Sequence, residues 1–293
     1  MTKQVKKIII KTANMWTISN KWLLAIQGIL RTNSALNKET KALITDFIQP
    51  VSPGPRGPTL VSTVYFKGNW SQTFDPDQTI NEEFTMRDGS KKKGRFMTDI
   101  RSAKVLDKES KLGGASAMLL PYGNDGSQSD YASLFILPAD ESIESMESVL
   151  EGINSYPFHH LGLTQDRVDI KLPRFKIDYK HKLNKELQNM GIKTAFDASI
   201  NNKFDIMSND SSLTVEDVIH GASMSVTEKG TEAGAVTVVH MFGSSRMEKP
   251  PLDMNFNRPF ITAIVHIPTG EYLFIGRVES PDLIMKDPDV HND

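Results

Sequence analysis

The sequence predicts an α+β protein built on large, mainly antiparallel sheets with a few flanking helices. Three observations lead there. Segments rich in β-branched and aromatic residues far outnumber segments with helical spacing. The two kinds do not alternate, so there is no βαβ rhythm and no doubly wound parallel sheet is indicated. The composition of the 293 residues, 39% hydrophobic and 24% charged, allows a sizeable core and shows no repeat or low-complexity stretch.

Residues 6–16 read as a strand, and residues 20–31 and 37–48 carry helical spacing through Leu23, Ile26 and Leu30, then Leu43, Ile44, Phe47 and Ile48. The Pro/Gly-rich residues 50–58 must be a loop. Residues 59–66 (TLVSTVYF) are expected to form a buried strand. Several short strands are expected across 79–137, with a hairpin turn at Arg87-Asp88-Gly89-Ser90. Ala117–Leu120 and Ala132–Leu137 are continuous apolar runs, as for strands covered on both faces. Residues 142–155 form an amphipathic helix, with Ile143, Met146, Val149, Leu150 and Ile153 as its stripe and Ser142 as its cap. Residues 168–178 alternate as a strand. Residues 183–190 form a short helix stopped by Gly191. Residues 213–227 are a long strand, and 260–267 with 271–278 form a hairpin around Pro268-Thr269-Gly270.

Several functions find no support. The net charge of -2 gives no reason to expect nucleic acid or an anionic membrane as partner, and the Lys91-Lys92-Lys93 run reads as a solvated turn. With no cysteine there is neither a disulfide framework nor thiol chemistry. No apolar run approaches the ~20 residues needed to span a bilayer. The basic start is followed by only three isoleucines before Lys11, too short for a signal segment. No G-x-S-x-G elbow and no H-E-x-x-H is present. His159 and His160 are adjacent and point in different directions, so they do not make a metal site. Asp166, Asp169 and Asp178 read as surface charges around a strand. No catalytic residue, metal ligand or cofactor is predicted, and an enzyme is not expected.

The most informative stretch runs from Glu228 to Pro259. At period two, Thr231, Ala233, Ala235, Thr237, Val239 and Met241 share one uncharged face, with Glu232, Gly234, Val236, Val238 and His240 on the other. That alternation suits a strand with one buried face, yet residues this small have little intrinsic drive to form one. A segment that can be a strand but need not be is a candidate mobile loop with a second destination. Its first residues, Glu228-Lys229-Gly230-Thr231-Glu232-Ala233, resemble the hinge of the serpins. Phe256-Asn257-Arg258-Pro259-Phe260 resembles the family's C-terminal motif, and Phe274-Ile275-Gly276-Arg277-Val278 with Pro281 looks like its last strand. Val64-Tyr65-Phe66-Lys67-Gly68-Asn69-Trp70 with Phe74 is similar to its central-sheet signature. The resemblance is good over residues 59–281 and poor over the first 58.

What the resemblance implies is a single serpin-like domain over 1–293, N-terminally truncated relative to the family, with a reactive-centre loop at 228–251 and a flexible tail at 282–293. In serpins a protease cuts the exposed loop, which then inserts into the central sheet and traps the acylated protease; serpin insertion is a known case of strand addition. The hinge residues Glu228, Gly230, Thr231, Glu232, Ala233, Gly234 and Ala235 carry no bulk that would block insertion. Counting from Glu228 with the family's usual spacing places the scissile bond at Ser244-Ser245, which suits an elastase-like pocket. The loop up to Pro250-Pro251 is longer than usual, which leaves Arg246-Met247, favoured here as bait for a trypsin-like protease. His220 matches the shutter histidine, with Ser62 where the family has Asn, and Glu228 is expected to face Arg174 near Trp70. The alternative is a non-inhibitory serpin-like binding protein or an inactive truncated isoform. The missing N-terminal helices would leave a sheet face open to self-association; a complete chain would be a monomer. An extracellular location follows from the family alone, with a cytoplasmic one as the alternative.

Overall fold

The computed structural model describes residues 11–13, 31, 33–35, 37–38, 57–66, 68–124, 127–200, 204, 213–231 and 249–284. In chain order the strands are β1 (Lys11–Ala13), β2 (Thr59–Tyr65), β3 (Gly68–Asn69), β4 (Ile80–Thr85), β5 (Lys91–Glu109), β6 (Ala115–Asn124), β7 (Ser127–Leu137) and β8 (Thr164–Pro173). They continue with β9 (Phe175–Lys182), β10 (Asp217–Val226), β11 (Gly230–Thr231), β12 (Leu252–Asn255), β13 (Phe260–His266), β14 (Glu271–Val278) and β15 (Asp282–Leu283). Helix α1 spans Ile143–Ser155 and helix α2 spans Asn184–Asn189. Large mixed sheets with few helices make this the α+β architecture the sequence predicts.

The chain divides into two compact units, residues 1–66 with 178–224 and residues 67–177 with 225–293. Two of its three boundaries fall inside β9 and β10, and the third lies between β2 and β3.

In the first unit β1 runs antiparallel to β2, pairing Lys11 with Val61 through Ala13 with Thr59. On its other side β2 runs parallel to β10, from Thr59 opposite Asp217 to Tyr65 opposite Ser223. Asn184 fixes the start of β10 at both ends of its amide: Nδ2 donates to the Glu216 carbonyl at 2.7 Å, and Oδ1 accepts from the Val218 N–H at 2.9 Å. Helix α2 ends at Gly191, whose φ of 100° suits the expected stop. The expected strand over 213–227 begins only at Asp217. Of the expected N-terminal helices, residues 31, 33–35 and 37–38 are described and helical, which includes positions the spacing left between the two; the rest lies outside the described residues.

In the second unit eight strands form one sheet in the order β12-β8-β5-β6-β7-β13-β14, with β4 on β5. All its pairings are antiparallel except β12 with β8. One face carries Leu106, Leu119, Leu134, Ile136, Ile261 and Val265, closed by Met146, Val149 and Ile153 of α1. Ser142 caps that helix by accepting the Ser145 N–H at 3.1 Å, as its type and place predict. Ile143 does not join the stripe and stays 53% exposed, since it lies in the first turn. The opposite face is aromatic: Phe135, Phe256 and Phe260 meet edge-on or tilted at 5.2–6.3 Å, with Phe84 and Phe175 around them. Arg258, between Phe256 and Phe260, donates to the carbonyls of Pro138 and Asp140 and ties the end of β7 to this cluster.

Four expectations need correcting. The short strands expected from 79 to 137 include one of 19 residues, β5. Lys104, Asp107 and Lys108 are exposed while Met97, Ala103 and Val105 are buried, so a charge-rich sequence runs on as one strand. Lys91, Lys92 and Lys93 are exposed but open β5, opposite Thr85, Phe84 and Glu83, and are not a turn. The strand expected at 168–178 is two strands, broken at Arg174, whose N–H donates to the Arg95 carbonyl. The tail expected from residue 282 starts as β15, where Asp282 and Leu283 pair with Lys176 and Phe175 of β9.

Candidate functional site

β10 does not end by fraying. Thr227 and Gly230 exchange both backbone hydrogen bonds, at 2.9 and 3.1 Å, and close a tight turn through Glu228 and Lys229. Gly230 has φ 133°, a region that disfavours side chains. A Cβ there would also lie 2.3 Å from the Gly68 carbonyl oxygen and 2.8 Å from the Trp70 nitrogen. Only glycine permits this approach, which lets Gly230 and Thr231 pair with Asn69 and Gly68 as β11 on β3.

The turn is gripped from one side by residues 70–74. The Trp70 N–H donates to the Lys229 carbonyl at 3.0 Å and the Phe74 N–H to the Glu228 carbonyl at 2.9 Å. The Trp70 indole Nε1 donates to the Thr227 carbonyl at 2.9 Å. Trp70 is 2% exposed and stacks on Tyr122 with ring centroids 4.8 Å apart, so its grip is fixed by packing.

Glu228 meets Arg174, as expected, but the setting differs. The pair was expected to count for little if exposed. Its side chains are instead 7% and 0% exposed, with Arg174 Nε 3.5 Å from Glu228 Oε2. The Thr79 hydroxyl donates to the other carboxylate oxygen at 2.8 Å. A buried pair like this is costly to break from one side, because the remaining charge stays out of water. Thr79 carries no signal in the sequence that would single it out. It follows the short 3₁₀ turn Pro76–Gln78, capped by Asp75, and is positioned by that turn.

In the first unit His220 and Ser62 are direct register partners on parallel strands, so their side chains share a face. Both are half-buried, and the His220 ring lies 6.4 Å from Tyr179. Three residues further along β10 the Ser223 hydroxyl donates to Asp178 at 2.7 Å. Glu232, Ala233, Gly234 and Ala235 of the hinge, and the candidate scissile residues Ser244, Ser245, Arg246 and Met247, lie outside the described residues. The chain is described again from Lys249, which pairs with Asp166 at 3.2 Å before β12 begins. Among the described residues no group of acidic or histidine side chains could hold a metal, and no helix is long and apolar enough to cross a membrane.

The chain belongs to the serpin family: the family model for serpins (serine protease inhibitors) matches residues 26–281. It is 32% identical over 250 residues to an uncharacterized serpin-like protein of Thermococcus kodakarensis, covering 85% of this chain and 55% of that protein. It is 31% identical over 268 residues to serine proteinase inhibitor 2 of Myxoma virus, covering 90% of this chain and 71% of that one. The chain spans 66% of Serpin-ZX of Arabidopsis thaliana and 57% of serine proteinase inhibitor 2.4 of Apodemus sylvaticus, at 29% and 30% identity. In fold it is similar to human thyroxine-binding globulin, solved in complex with thyroxine, at TM-score 0.76 and 22% identity over 96% of this chain and 77% of that one. It is also similar to the thermophilic serpin tengpin in its native state, at TM-score 0.73 and 24% identity over 94% and 73%. Serpins are mostly protease inhibitors, not catalysts, and in general their targets are serine proteases.

Proposed function

We propose that this chain inhibits a serine endopeptidase by offering its loop for cleavage, holding the protease as an acyl-enzyme and inserting the loop as a new strand. The observation that carries this reading is the parallel pairing of β2 with β10. A strand that returns from β10 through the tight turn at Thr227–Gly230 runs antiparallel to β10, and therefore antiparallel to β2 as well. Inserted between them, it would replace one parallel ladder by two antiparallel ones, the slightly more stable kind. Each added hydrogen bond is worth about 0.5–1.5 kcal/mol net. The seven residue pairs of the present ladder would give way to roughly twice as many, enough to make insertion run downhill. The face that would be buried, from Thr231 through Ala233, Ala235, Thr237 and Val239, holds no charge.

For the target, Arg246 favours a trypsin-like protease and Ser244 an elastase-like one. Incubation with trypsin, and separately with elastase, followed by a denaturing gel, tests both levels. A band near the summed mass that survives boiling is expected with trypsin, and the mass of the released peptide identifies the cut bond. A clipped chain with no such band would overturn the inhibitory reading. The second reading, a serpin-like protein whose loop is cut or bound without trapping, draws support from Ser62. Where it faces His220 the family's longer Asn is replaced by a hydroxyl of shorter reach.

A further inference from the structure

The inward face of β5 holds an anomaly. Met97, Asp99, Arg101, Ala103 and Val105 alternate onto one buried face, opposite Leu172, Ile170 and Val168 of β8. An aspartate and an arginine thus sit in an apolar row, 7% and 8% exposed. Their carboxylate and guanidinium pair with each other. The rest of the guanidinium is committed outward: Nη1 donates to the Gln72 carbonyl at 2.6 Å and Nη2 to the Thr73 carbonyl at 3.2 Å. The Phe74 ring lies over its carbon, 4.2 Å from centroid to Cζ. Burial pulls the guanidinium below its ordinary range, with Asp99 pushing back.

A charge kept in so apolar a row needs a reason, since replacing such pairs by apolar residues is often neutral or stabilising. The reason lies in what Arg101 holds. Residues 72–74 are continuous with Trp70, and it is the Trp70 and Phe74 N–H groups that grip the carbonyls of Lys229 and Glu228. Arg101 binds this segment from the sheet side through its carbonyls, and the segment binds the hinge turn from the other side through its N–H groups. We infer that the Asp99–Arg101 pair is a positioning device that sets how readily the hinge turn at Thr227–Gly230 lets go. This role rests on reading that turn as the hinge of an inserting loop. Asp99 orients the guanidinium; the two carbonyl bonds fix the height and direction of the 70–74 segment. The grip on Glu228 and Lys229 then opens only when that segment moves.

The test separates positioning from bulk stability. In the double variant Asp99→Leu with Arg101→Met the buried charges vanish together, so the sheet keeps an apolar row while the two carbonyl bonds are lost. Hydrogen–deuterium exchange is read at the amides of Thr227 and Gly230, beside the global denaturant midpoint. Exchange at the turn is expected to rise about tenfold or more, the order expected from a lost hydrogen bond to a charged group, with the midpoint held or raised. Arg101→Lys, which keeps the charge and a donor, is expected to fall between the two. Turn exchange within twofold of the unaltered protein in the double variant would overturn the role. If the double variant does not fold, Arg101→Lys carries the test alone, and exchange within twofold would again overturn it. Protease trapping by the unaltered chain is scored separately. A failure to trap, with the turn responding, removes the inhibitory reading and leaves the positioning role of Arg101; trapping with an unresponsive turn does the reverse.

Discussion

The hinge turn and the β2–β10 seam are held by opposite means. The turn at Thr227–Gly230 is a dense knot: a buried ion pair, a threonine hydroxyl, an indole N–H and two backbone N–H groups converge on three residues. The seam is held by a regular parallel ladder with His220 and Ser62 half-buried along it. On the proposed insertion, that ladder would be replaced bond for bond, and more, by an incoming strand. The grip of residues 70–74 on the turn would have to loosen first. The difference teaches that, if the loop inserts as proposed, the two regions would answer different questions: the knot would set when insertion starts, and the seam how much is gained by it.

The largest expected effect comes from cutting the knot at its charge. Arg174→Met leaves the Glu228 carboxylate buried beside Thr79 alone. It should cost about 3–5 kcal/mol in denaturant unfolding. A cost under about 1 kcal/mol would erase the contrast with the seam. Gly230→Ala comes next. Its φ and the approach to Gly68 and Trp70 forbid a Cβ, so the turn should open or shift at a cost of about 1–3 kcal/mol, read as rapid exchange of the Thr227 and Gly230 amides. Trp70→Phe keeps a ring on Tyr122 but loses the bond to Thr227. A loss of about 1 kcal/mol confined to the turn would mark the indole N–H as one strand of the knot. On the seam, Ser62→Asn lengthens the side chain that faces His220. Slower exchange along Asp217–Ser223, worth about 0.5–1 kcal/mol, with the turn unchanged, would show the two regions to be separable.

The smallest effects set a baseline away from both. Burial pushes the Tyr272 phenol up to about 12 from 10.0. The unfolded chain ionises first, so this contribution is whole below about pH 10 and is lost as pH rises towards 12. Hydrogen bonds from Ser142 and Ser145 hold the exposed Asp140 carboxyl at about 2 against 3.8. Its contribution is present above about pH 4 and is lost as pH falls through 2. Tyr272→Phe should flatten the alkaline limb of the denaturant midpoint against pH, and Asp140→Asn the acid limb, with turn and seam exchange untouched by either.

Much of this was legible. The β13–β14 hairpin, the Ser142 cap, the stop at Gly191 and the approach of Glu228 to Arg174 are local or motif-borne signals, and each lies where the sequence puts it. What escaped is of two kinds. Long β5 was hidden because it opens with three exposed lysines, paired to β4, a run that reads like a turn. The knot's supporting residues were hidden because their roles run through backbone. Thr79 is placed by a 3₁₀ turn, and Arg101 acts on carbonyls that carry no residue code. Asp99 and Arg101 did leave a trace, two charges on the same phase as Met97 and Ala103, visible once the strand's phase is known.

The division of the chain has a consequence for heredity. Of the three crossing points between the units, one falls at residues 66–67, between β2 and β3, and two lie within strands, at residues 177–178 in β9 and 224–225 in β10. Excising either unit requires a cut at both of those strand positions, which would sever a ladder instead of a linker. Neither unit is thus a cassette that gene shuffling could pass to another protein, and the pair is inherited together or lost together.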